Sequence, residues 1–156
     1  MSVVSAYGLS IDVPPGWEAR VYRRPAAPPE STHPVLHAGN FALPGDRGDY
    51  GSGAVERMGA ANVFVALLEF HPSATDSALF SRNGRPSTLD PSAFSPGSLQ
   101  RGLPGQAGTQ AFFSDNGRAF CLYVVLGSWA DRGRLVPLAT DALRRVHIGP
   151  APAGDT

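Results

Sequence analysis

Ala119–Gly127 reads AFCLYVVLG, an almost unbroken apolar run rich in β-branched and aromatic residues. It is far too short to span a bilayer, so it describes a strand buried on both faces rather than a membrane segment. Asn116-Gly117 stands just before it, the dipeptide favoured by two-residue type I′ turns because both positions need positive φ. Upstream lies GTQAFFS, Gly108–Ser114. Folding the arms about the turn pairs Phe113 with Phe120, Ala111 with Leu122 and Thr109 with Val124 on one face. On the other face Phe112 meets Cys121 and Gln110 meets Tyr123, with Asp115 opposite Arg118 and charges only at the tip. The fold is read outward from this hairpin.

The chain has 156 residues, enough for one domain that buries roughly 70% of its unfolded surface. Hydrophobic residues make up 42%, while 18 Gly and 15 Pro call for many turns and short elements. The formal charge is zero, with 13 basic and 13 acidic residues, so no global field favours nucleic acid or anionic lipid. All basic residues are arginine. Without lysine, Schiff-base chemistry and a Walker A loop are excluded. Cys121 is the single cysteine, which rules out an internal disulfide and reads as a small buried hydrophobe. With no basic-then-apolar leader at the N-terminus, the expectation is a soluble cytoplasmic protein.

Alternation predicts strand segments at Ser2–Tyr7 and Leu9–Val13 around Gly8, either a hairpin or one bulged strand, and a strand at Glu18–Arg23 after the Pro14-Pro15-Gly16 turn. Val35–Leu43 reads as a strand and Pro44–Gly53 as a long polar loop. Ala54–Met58 suits one helical turn capped near Ser52, and Asn62–Phe70 (NVFVALLEF) a second interior strand whose Glu69 reaches solvent. Ser73–Arg82 reads as a short helix capped at Ser73 or Thr75. ALFSRNGR (Ala78–Arg85) matches AFFSDNGR (Ala111–Arg118) at six of eight positions, so a hairpin competes there. Pro86 favours the helix. A further helical turn fits Ser98–Arg101. Asp131–Arg145 is the main helix, with Leu135, Ala139, Ala142, Leu143 and Val146 as its buried stripe and a regular start near Arg134, because Pro137 belongs in a first turn. Val146–Ile148 returns as a short strand. Residues 1–148 then form one α+β domain: a central antiparallel sheet of about six or seven strands, a main C-terminal helix and one or two short helices. Residues 149–156 are expected to be a disordered tail.

Few residues suggest chemistry. His33 and His37 lie on one side of an extended segment, and Glu69 with His71 ends the neighbouring strand. A small-ligand or metal-dependent enzyme built on Glu69, His71 and a loop histidine is therefore one reading, against solvated strand-end histidines. Arg47-Gly48-Asp49 spells an adhesion tripeptide, and the glycines of 48–53 offer amides to an anion, but a polar turn-rich loop explains both. No GxSxG or GxGxxG occurs. No catalytic residue, cofactor or resident metal is assigned. The favoured reading is a non-catalytic accessory or interaction domain. Its candidate surface is Asp46, Arg47, Asp49 and Tyr50, since the connection from Pro44 to Ala61 is longer than two strands need. The competing account has Tyr50, Val55 and Met58 covering the open end of the core.

The start GLSIDVPPGW (Gly8–Trp17), the central antiparallel hairpin, and the closing CLYVVLG and LATDALRRVHI (Cys121–Gly127 and Leu138–Ile148) together resemble the PsbP-like α/β sandwich. That family includes photosystem accessory subunits, a Ran-binding import factor and actinobacterial LpqN-like proteins. The resemblance covers the ends and the hairpin; Pro25–Gly105 departs from it, and no partner-binding motif carries over. It implies an accessory or binding role without catalysis. The expected partner is another protein, neither nucleic acid nor membrane, with homo-oligomerisation left open.

Overall fold

The computed structural model describes residues 2–29 and 31–152. The hairpin that anchors the sequence reading forms as β6 (Ala107–Asp115) and β7 (Arg118–Leu126), in the register derived above from Thr109↔Val124 to Asp115↔Arg118. Asn116 and Gly117 carry φ of 52° and 72°, the pair of positive values a type I′ turn demands. Every residue of β7 is buried. On its other side lies β5 (Val63–Phe70), followed outward by β4 (Val35–Gly39) and β3 (Glu18–Tyr22), giving an antiparallel order β3-β4-β5-β7-β6.

Strand alternation then sorts two cores. Val63, Val65 and Leu67 of β5 join Phe120, Leu122, Val124 and Leu126 of β7 in the larger cluster. Phe64, Ala66 and Leu68 join Tyr123 and Val125 on the opposite face. The larger cluster is closed by α1 (Arg132–Arg144), whose Leu135, Val136, Ala139 and Leu143 pack there with Val146. The second is closed without regular secondary structure, by Leu43, Ala54 and Val55 with Tyr50 and Met58.

One expectation needs correcting. The strands do not form a single central sheet of six or seven. Among the described residues there are two antiparallel sheets, the five-stranded one and a three-stranded one of β1 (Ser2–Ala6), β2 (Leu9–Val13) and β8 (Val146–Ile148). Leu9 and Ile11 turn into the larger cluster while Ser10 and Asp12 face away, so the small sheet lies on the same side of the large one as α1. Alternation shows which face a strand buries, but not which strand it pairs with.

Smaller departures have local causes. Helix α1 starts at Arg132, and Pro137 sits inside it. Gly133, whose carbonyl loses its i+4 donor because Pro137 has no N–H, is exposed to solvent. The segment after β5 forms two 3-10 turns, Pro72–Asp76 and Ala78–Phe80, and the first is capped by the His71 ring accepting from the Ser73 N–H rather than by Ser73 or Thr75. Helical geometry thus holds at Ala78–Phe80, and Asn83 pairs with Ser114 beside β6. Other 3-10 turns are Val55–Arg57, Pro91–Ala93 and Pro96–Ser98. Ser52 caps nothing; Glu56 instead accepts from the Gly53 N–H at 2.6 Å. Of the expected tail, Gly149 is tied to Gly8 by its N–H (2.9 Å), while residues 153–156 lie outside the described set.

Glu69 and Arg118 overturn the idea that charge stays at the tips. Arg118 and Glu69 side chains are 2% and 7% exposed and meet in a two-pronged ion pair of 2.9 and 2.6 Å. The same guanidinium donates to the carbonyls of Tyr7 and Gly149. Asp115, opposite Arg118 in register, instead accepts from the Arg85 N–H.

Gly117→Val should cost about 1 kcal/mol or more, because a β-branched residue resists positive φ; urea denaturation checks this. Glu69→Ala should cost about 3–5 kcal/mol, leaving a buried guanidinium unpaired, and the double variant Glu69→Leu, Arg118→Met should recover part of that loss.

Candidate functional site

The loop between β4 and β5 is laid over the second core and held by a chain of polar contacts that begins at a buried histidine. His37, in the middle of β4, is fully buried between the rings of Tyr22 and Phe64, at 5.3 and 4.9 Å between centroids. Its Nδ1 receives the Arg47 Nε–H at 3.0 Å, and Arg47 can only donate. Nε2 must therefore carry the proton, which it gives to the Asp49 carbonyl at 2.8 Å. The neutral ring is thus the form the site needs. Burial, reinforced by the Arg47 charge, lowers the His37 pKa to about 4.

Asp49 ties the loop to β3 with its side chain. One carboxylate oxygen accepts from the Tyr22 hydroxyl (2.7 Å) and from Arg24 Nε (2.8 Å). Arg24 also donates to the Arg47 carbonyl, and Arg47 to the Pro44 carbonyl. The guanidiniums of Arg24 and Arg47 lie 5.3 and 5.8 Å from the Tyr22 ring centroid. Burial, then the Asp49 carboxylate, push the Tyr22 phenol well above its ordinary value, so it stays a donor. Arg24 is raised by its bond and attraction to Asp49, whereas burial and the charges of Arg20 and Arg24 pull Arg47 down.

Above this network lies an open cavity of about 330 Å³ lined by Arg20, Val21, Tyr22, Arg24, Gly45 and Arg47. Three of its six lining residues are cationic. Asp49, the nearest carboxylate in the network, is already engaged.

Of the four residues expected on the surface, Arg47 and Asp49 are brought together here. Asp46 is exposed nearby. Tyr50 points elsewhere: its ring packs edge-on against Tyr123 at 5.6 Å within the second core, with Val55 and Met58 alongside. Tyr50 therefore covers the core, as the competing account has it. Gly51 explains the close fit, since at φ 89° a Cβ would come within 2.5 Å of the Phe64 ring. The loop amides turn inward, Gly48 N–H to Ser52 O and Gly51 N–H to Gly48 O, and offer no anion cradle.

The residues of the alternative enzyme reading come together in part: His33 and Glu69 line one cavity of about 320 Å³. Glu69 faces the larger cluster and is paired with Arg118, while His37 faces the second. His71 caps its 3-10 turn and meets His33 edge-on at 5.9 Å. Among the described residues no group of three or more His, Cys, Asp or Glu could hold a metal ion. Cys121 is fully buried and its thiol is pushed up to about 11 by that burial, an inert side chain as its strand position suggested. His37, expected at a solvated strand end, is instead the pivot of the site. Its signal was its place inside the apolar VLHA of β4, where an imidazole needs partners for both nitrogens. Tyr22 was not singled out, and Arg24, grouped with Arg20 and Arg23, reads in sequence as a solvated strand edge that could touch an acidic partner; their link to Asp49 spans 27 and 25 residues.

These contacts define the chain as an α+β protein of two antiparallel sheets with a loop clamped on one face. Comparison with protein-family models, with curated proteins and with solved structures finds no match. No helix among the described residues is long and apolar enough to cross a membrane.

Because His37 titrates at about 4 when folded against an ordinary 6.5, the unfolded chain binds the extra proton between those values. Stability should be flat above about pH 6.5, fall as pH drops toward about 4, and lose on the order of 3 kcal/mol from this group. Urea denaturation at neutral pH and near the folded pKa, compared with His37→Gln, isolates the histidine from the carboxylates. The variant should be less stable at neutral pH and show a shallower loss on acidification.

Proposed function

We propose that the protein is a non-catalytic accessory or interaction domain that docks another protein on the clamped loop and the β3 edge beside it. The observation that carries this reading is the locking of residues 44–53 by Asp49 and His37. It holds Arg24 and Arg47 beside Arg20 along one open cavity, and Asp46 next to Arg47 in the loop is exposed. Rigid presentation of arginines and a tyrosine ring lowers the ordering cost of recognition. His37 has both nitrogens committed to loop contacts, which suits a structural pivot better than a proton carrier. The PsbP-like resemblance points the same way by analogy, and extends the reading to a sandwich of that family. In this reading the domain works in the cytoplasm, without cofactor or nucleic acid.

Affinity capture from the source cells, with and without crosslinking, tests it alongside thermal melts. Arg20→Ala should melt like the wild type and lose capture of the same partner. Tyr50→Ala should keep its loop charges but lose about 1–3 kcal/mol from the second core. Capture untouched by Asp46→Ala, Arg20→Ala and Arg24→Ala would remove this surface from consideration.

A further inference from the structure

The two ends of the large sheet are treated differently. The β6 edge is covered: Gly108 and Ser95 exchange both N–H···O bonds at 3.0 Å, Ser114 N–H reaches Arg82 O at 2.8 Å, and Gly84 N–H reaches Ser114 O at 2.7 Å. At the β3 end, among the described residues, no main-chain group outside β4 hydrogen-bonds to the main chain of Glu18–Tyr22, and the Ala19 carbonyl is met by the Arg20 guanidinium from the next residue. The small sheet also ends on this side with β1, and a cleft of about 650 Å³ runs between β1 and β3. Its walls include Val4, Val13, Trp17, Arg20 and Arg145. Arg20 also lines the arginine cavity, so the two hollows flank the same residue of β3.

Alternation gives this groove two unlike sides. Ala19 and Val21 face the larger cluster with Val4, Val13 and Trp17. Glu18, Arg20 and Tyr22 face the loop, where Arg24 and Arg47 stand. Glu18 is occupied by the Leu43 N–H and Asp49 by Tyr22 and Arg24, so those two carboxylates are already used. Arg20, by contrast, spends one donor on its neighbour's carbonyl. A second copy of β3 paired antiparallel about Arg20 would set like charges opposite each other, which disfavours self-association in that register.

We infer that the partner is an extended acidic segment of another protein that adds as a strand to the β3 edge, carboxylates alternating with apolar side chains. The carboxylates meet Arg20, Arg24 and Arg47, and the apolar residues enter the cleft beside Trp17 and Val4. Main-chain bonds supply affinity and the alternation supplies register, as in strand addition generally. This inference rests on the interaction reading above and names the chemistry of its partner.

The test uses the full chain and a fluorescein-labelled peptide, Glu-Val-Glu-Val-Glu-Val-Glu-Val, followed by fluorescence anisotropy. Binding should weaken with salt and fall roughly tenfold or more in Arg20→Ala, Arg24→Ala, a loss expected for charge-assisted hydrogen bonds. It should be unchanged in Arg134→Ala, on the exposed face of α1. Replacing valine by serine in the peptide should weaken binding, and lysine in place of glutamate should abolish it. Amide hydrogen exchange in β3 should slow when the peptide is bound. Peptide binding with unchanged β3 exchange would overturn strand addition. So would equal binding by the lysine peptide, preferential binding to phosphatidylserine–phosphatidylcholine vesicles, or a dimer formed through β3. If the peptide fails while Arg20→Ala still abolishes cellular capture, the acidic-strand inference falls and the interaction reading stands; if both fail, both fall. Failure with no partner of any kind would mean that the arginines serve only to keep a bare edge from aggregating.

Discussion

Arg118 commits four of its five N–H donors inside the protein: two to Glu69, one to the carbonyl of Tyr7 and one to the carbonyl of Gly149. Those partners belong to different parts of the chain. Glu69 ends β5, Tyr7 is in the β1–β2 turn, and Gly149 follows β8. The guanidinium therefore joins the small sheet to the large one at a single buried point. Such a pair gains little net stability, because removing two charges from water costs about what their attraction returns. Its value here is geometric. Apolar side chains from β2 could slide over the larger cluster with small loss, whereas a bidentate pair and two carbonyl bonds accept one placement.

A second constraint acts on the opposite face. The core above Phe64, Ala66, Tyr123 and Val125 has no helix to close it, and a loop must do so while satisfying its own backbone. It manages this from both directions. Tyr50, Val55 and Leu43 supply the apolar lid, and His37, buried in the sheet, supplies a hydrogen-bonding pivot beneath it. A buried neutral imidazole serves because it can accept from Arg47 and donate to a carbonyl at once. The arginines around Tyr22 are consequently held by the fold itself. Lid and candidate recognition surface are one structure, which is why Tyr50 and Asp49, adjacent in sequence, play different parts.

The legible portion of this molecule was the portion written in local pattern. The β6–β7 register followed from Asn116-Gly117 and matched apolar arms, and α1 from the spacing of Leu135, Ala139, Ala142 and Leu143. Both depend on residues near in sequence. What pattern could not carry was pairing at a distance. Val146–Ile148 reads as a strand, but nothing in three residues says that it joins β2, more than a hundred residues earlier, in a sheet of its own. Glu69 and Arg118 each look like a charge at a strand end until the sheet brings them together across 49 residues. The site was half visible for the same reason. Length and polarity marked the loop with Arg47 and Asp49, while Tyr22, Arg24 and His37 belong to it only through the β3–β4 pairing.

The arginine-only composition bears on the exposed edge more than on the core. At a bare strand edge either cation can repel another edge and discourage aggregation. They differ in what they do when an anion arrives. An ammonium presents a hydrated point charge, whereas a guanidinium is less strongly hydrated, stacks on an aromatic ring and binds a carboxylate through two parallel bonds. Arg24 and Arg47 already lie near the Tyr22 ring, which limits their freedom before any partner is present. In the proposed strand addition, the side chains beside β3 are therefore held ready for a carboxylate. On that proposal, protection and recognition at this edge draw on the same electrostatics, and the sign of the approaching strand decides which of them is expressed.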